Sequence, residues 1–61
     1  MFIGLHYKGK NRLFNISNIS AISERDDECK IYVVGDPDPF PVDETYEEII
    51  TLLRKGLQYE I

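Results

Sequence analysis

The 61-residue chain predicts an α+β fold, a small antiparallel meander sheet of about four strands with one C-terminal helix packed on one face. Three observations predict it. Residues 42–57 spell a complete helix with both ends marked, and everything before them reads as short alternating or β-branched runs. Polar, Gly- or Pro-containing turns separate those runs. The helix is therefore the only lid the sheet can have. Residues 1–61 form a single domain, too short to hold a second core.

Residues 2–7 alternate, with Ile3, Leu5 and Tyr7 on one face and Phe2, Gly4 and His6 on the other, so they read as a strand. Residues 8–11 form a turn in which Gly9 takes a positive φ, and residues 12–16 form a second short strand. Asn15-Ile16-Ser17 and Asn18-Ile19-Ser20 repeat one tripeptide that also matches the N-glycosylation sequon. With no signal peptide expected, the match is accidental. The segment reads as a polar corner whose amides and hydroxyls bond nearby backbone while Ile16 and Ile19 point inward.

Residues 20–24 resume as a strand and residues 25–28 turn the chain. Residues 29–34 are the strongest strand signal, with Cys29, Ile31 and Val33 on one face and Lys30, Tyr32 and Val34 on the other. Pro37 and Pro39, lacking N–H donors, break the sheet. Residues 40–42 make a short last strand, where Pro41 suggests an edge or a pairing whose N–H side faces water.

Thr45 and Glu48 have capping-box spacing, Glu47 and Glu48 suit the positive end of the helix dipole, and Arg54 and Lys55 suit the negative end. Gly56 should end the helix in the left-handed conformation, with Leu57 touching Leu52. Tyr46, Ile49, Ile50, Leu53 and Leu57 form an apolar stripe. With only about three turns and no recurring heptad, it reads as a core face, not a coiled-coil seam. The expected core is Ile3, Leu5, Phe14, Ile16, Ile19, Ile22, Ile31, Val33, Val42, Ile49, Ile50 and Leu53.

So small a chain buries a modest share of its surface, and nothing in the sequence staples it. A single cysteine excludes an internal disulfide, and Cys29 with the lone His6 is too few for a structural zinc site. The net charge of −4 argues against phosphate-backbone binding, although Lys8, Lys10 and Arg12 cluster around the first turn. No apolar run approaches the ~18 residues that span a membrane. The N-terminus lacks the features of a signal peptide, so a cytoplasmic setting is expected.

Candidate chemistry is sparse. Asp26, Asp27 and Glu28 lie at one end of the 29–34 strand and Asp36 and Asp38 at the other, roughly 20 Å apart. They cannot share one cation, and both groups read as solvated turns. His6 has no sequence-near carboxylate and reads as a surface or interface side chain, pH-sensitive if an oligomer covers it. Cys29 reads as a buried core thiol whose pKa Asp27 and Glu28 would raise. No nucleophile elbow and no phosphate-cradling glycine loop is present. Neither enzymatic activity nor a catalytic residue, metal or cofactor is expected.

Ile3, Leu5 and His6, then Asn15, Ile16 and Ile19, then Ile31, Val42, Glu44, Thr45, Glu48 and Ile49 carry a resemblance. In their layout the chain resembles the small flagellar and swarming motility proteins of the FlbD/SwrD type, and similar short bacterial and phage proteins. It departs where that family has a simple Gly turn, carrying Asp36-Pro37-Asp38-Pro39 instead. The resemblance implies a cytoplasmic accessory protein that acts through contacts. The residues themselves lead to an interaction module, self-associating or binding another protein, through the second apolar face of Phe2, His6, Tyr32 and Val34. The rival is a nucleic-acid-binding regulator using Lys8, Lys10, Arg12 and Lys30, with Tyr7, Tyr32 and Phe2 stacking on bases. A third possibility is a mimic whose acidic loops engage a basic partner.

Overall fold

The computed structural model describes residues 1–55 and has the element order β1 (Phe2–Tyr7), β2 (Lys10–Asn15), a 3-10 turn (Ile16–Asn18), β3 (Ile19–Arg25), β4 (Glu28–Val33), β5 (Phe40–Val42) and α1 (Tyr46–Arg54). The fold is α+β, but the single meander of about four strands divides into two antiparallel sheets. One is the hairpin β1–β2, the other the three-stranded order β3-β4-β5. Gly56 and Leu57, expected at the helix end, lie outside the described residues.

Both hairpins close through two-residue loops. Lys8 and Gly9 have φ of 53° and 77°, and Asp26 and Asp27 have φ of 53° and 62°. Two successive left-handed residues are the type I′ geometry, whose twist matches that of the strands it joins. In such a loop the flanking residues exchange both backbone hydrogen bonds, which fixes the direction of every later N–H and C=O. In the second sheet this makes Arg25↔Glu28 and Ser23↔Lys30 the bonded pairs, so Cys29 and Ile31 turn their backbone toward β5. Phe40 and Val42 face them, and Pro41, opposite Lys30, sits where no N–H is required.

The same alternation explains why there are two sheets. Residue 41 of β5 and residue 43 just beyond it turn their backbone toward β1. Pro41 has no donor to give, and Asp43 N–H reaches across, to His6 O at 2.8 Å. At the other end, Asn15 caps the 3-10 turn, its Oδ1 accepting from Ser17 N–H and Oγ–H, while Ile16 N–H donates to Met1 O and Val34 N–H to Asn18 O. This corner carries the chain from one sheet to the other without pairing β2 to β3.

The core lies between the sheets and α1. Ile3, Leu5, Phe14, Cys29, Ile31, Val42 and Ile49 are buried, and Ile31 and Ile49 are fully enclosed. Ile16, Ile19, Ile22, Val33 and Leu53 pack against them half-buried, as do Phe40, Tyr46 and Leu52. Ile50 is half-buried outside that group, and Leu52 takes the place expected for it. With Ile49 centred over both sheets, positions three before, three after and four after it face inward, and Ile50 falls to the flank. The capping box forms: Thr45 Oγ1 accepts from Glu48 N–H at 3.1 Å, and Glu48 Oε1 accepts from Thr45 N–H at 2.9 Å.

Candidate interaction surface

The first hairpin is joined to the β5–α1 junction by two consecutive carboxylates. Glu44 Oε1 accepts from His6 N–H at 2.8 Å, and Glu44 Oε2 lies 2.7 Å from His6 Nδ1. Asp43 Oδ2 accepts from Gly9 N–H at 2.9 Å. With the Asp43 N–H bond to His6 O, they replace the strand ladder that Pro41 interrupts. The Glu44 hydrogen bond, followed by its charge, raises the pKa of His6. Asp43 and Asn11 act in the same direction, and desolvation opposes them.

Because His6 N–H and C=O point to Glu44 and Asp43, His6↔Asn11 is a non-hydrogen-bonded pair of the hairpin. The N–H and C=O of Asn11, and by alternation those of Leu13, therefore point out from β2. No other described strand pairs with that edge. On β1, Gly4 N–H and C=O point the opposite way, toward a groove of about 530 Å³ whose far wall includes Glu47 and Thr51 of α1 and Lys55 just past its end.

The hairpin's outer face carries Phe2, Gly4 and His6 from β1 with Asn11, Leu13 and Asn15 from β2. Leu13 stands opposite Gly4, which has no side chain to cover it, and remains 48% exposed. Leu13 had no part in the predicted surface. The signal was available: with Phe14 and Ile16 assigned inward, strand alternation puts Leu13 outward beside Phe2 and His6. Tyr32 and Val34 are also exposed, but they belong to the other sheet, Tyr32 on β4 and Val34 just past its end. Tyr32 shares its outer face with Ser23, Arg25 and Lys30. Phe2 and His6 thus sit together on one hairpin, and no strand pairing links them to Tyr32 and Val34.

At the rim of the inner face, Arg12 lays its guanidinium 4.6 Å from the Phe40 ring centre and 5.6 Å from that of Tyr7. Lys8 Nζ lies 5.3 Å from the Tyr7 ring, and Tyr7 and Phe14 each meet Phe40 edge-on. The basic residues of the first turn are therefore partly engaged with aromatic faces. The second turn is acidic, and among the described residues its ion pair joins Arg25 to Asp26 at 3.7 Å with both side chains in solvent.

Cys29 is buried, and burial pushes its thiol pKa up, with Glu24 and Glu44 adding to the effect. Glu24 is its cross-strand partner, so the carboxylates acting on it are these and not Asp27 and Glu28. Among the described residues no three His, Cys, Asp or Glu side chains converge as metal ligands, and no helix is long and apolar enough to cross a membrane. No protein-family model, curated protein or solved structure matches the chain.

Proposed function

We propose that this protein is a non-enzymatic interaction module that self-associates and serves as a cytoplasmic accessory or regulatory protein. The observation that carries the reading is the exposed Leu13 on a strand whose outer edge no other described strand covers, on the same hairpin face as Phe2 and His6. Open strand edges are templates for pairing with another chain, and a domain with few buried residues gains most from such pairing. The reading agrees with the contact-based accessory role that the motility-protein resemblance implies. Sedimentation equilibrium at micromolar concentration tests it: an oligomer is expected, and a well-folded monomer overturns it.

The second reading, nucleic-acid binding, draws support from Lys8, Lys10 and Arg12 lining one depression with Tyr7. The charge of −4 and the rings already covered by Lys8 and Arg12 favour the first. A gel shift with DNA and RNA at low salt discriminates, since absence of binding removes this second reading.

A further inference from the structure

We infer that the partner is a second copy of this chain, joined edge to edge through β2 about a twofold axis at Leu13. The inference rests on the self-association reading and adds the surface and its register. Antiparallel pairing about that axis sets Leu13 against the partner's Leu13 and Asn11 against the partner's Asn15. Leu13 and Asn11 are residues whose N–H and C=O point outward, so the new ladder uses bonds that the hairpin leaves free. The two hairpins then make one four-stranded sheet, and the exposed Leu13 side chains meet across the axis.

The charges on β2 permit this arrangement. Lys and Arg on an edge strand ordinarily discourage pairing. Here Arg12 folds onto the Phe40 ring, and in this register it stands opposite the partner's Phe14, not opposite another cation. Lys10 falls at the end of the paired segment. The two strands carry no like charges directly opposed.

The outer edge of the second sheet, on β3, is worse suited. β3 shifts register between Ile19 and Ala21, the signature of a bulge, and Ser20 Oγ donates to Tyr32 O at 3.2 Å there. Bulges blunt strand edges, and the outward side chains nearby are Ala21 and Ser23, which offer little to bury. β2 pairs in unbroken register from Lys10 to Asn15. An edge without a bulge and with an apolar centre is the one that can extend.

The test compares the 61-residue chain with Leu13→Lys and Leu13→Cys, using Val34→Cys as control, by sedimentation equilibrium and oxidative cross-linking. Leu13→Lys puts two cations across the axis and should weaken the dimer by at least about tenfold with an unchanged circular dichroism spectrum. Leu13→Cys should cross-link under mild oxidation, because hydrogen-bonded antiparallel partners lie about 5.5 Å apart at Cα, within disulfide reach. Val34→Cys should not. If Leu13→Lys fails to fold, the cysteine pair decides alone. A monomeric wild type overturns the self-association reading and this inference with it. A dimeric wild type whose Leu13→Lys variant stays dimeric, or whose Leu13→Cys variant cross-links no better than Val34→Cys, overturns the edge pairing and leaves self-association standing.

Discussion

Lys8-Gly9 and Asp26-Asp27 turn two hairpins through the same pair of left-handed residues, yet the strands they join have different surroundings. The first hairpin is held at its turn and at His6 by the carboxylates of Asp43 and Glu44, and its outer strand is regular. The second has an acidic turn in solvent and an outer strand interrupted beside Ser20. Turn geometry alone therefore does not set what a hairpin does. The bonds made by the far side of each strand do, because they determine which backbone groups are spent and which face outward.

Packing is the strongest way to break the comparison. Ile3 of the first hairpin is buried and Ile22 of the second is only half-buried. Ile3→Ala should cost about 2–5 kcal/mol by transfer and cavity terms, with Ile22→Ala at or below the low end. Chemical denaturation of both variants checks this, and equal losses would erase the distinction. Next is the clasp. Glu44→Ala removes the acceptor of the His6 backbone N–H, on the order of 1 kcal/mol for that bond alone. Glu28→Ala beside the second turn should stay within about 0.5 kcal/mol, and thermal melts of the two should separate accordingly.

The turns themselves sharpen the contrast further. Asp27→Gly relieves a left-handed non-glycine residue and one charge of an acidic group, and should raise stability by about 0.5 kcal/mol. Gly9→Ala should lower it by more than that, since its φ of 77° suits glycine.

The smallest effect is the pH response. The folded state raises the pKa of His6 above its ordinary 6.5, so its stabilisation is complete below 6.5 and is lost as pH rises through the folded value. That slope should shrink in Glu44→Ala, which removes the two largest causes of the shift and leaves Asp43 and Asn11. A slope surviving unchanged would place its origin elsewhere.

Much of this was legible in the chain. The capping box, the buried Cys29 and both turns follow from local pattern, because each depends on residues a few positions apart. Pro41 signalled an edge but not that the sheet would divide there, since that requires knowing which strand lies beyond it. Glu44 and His6 are 38 residues apart, and no periodicity links them. Ile50 and Leu52 exchanged roles because Ile49 packs over two sheets, a direction that stripe counting does not supply.

Pro41 makes the boundary between the sheets a line of weakness of a particular kind. Elsewhere the strands are held by backbone ladders, which are indifferent to mild changes of acidity or salt. Across this boundary the grip passes through His6, Asp43 and Glu44. Amide hydrogen exchange should therefore find the first hairpin loosening from the rest as a unit, with His6 and Gly9 the earliest amides to lose protection. One absent backbone proton has turned part of a rigid seam into one whose strength the surrounding solution can adjust.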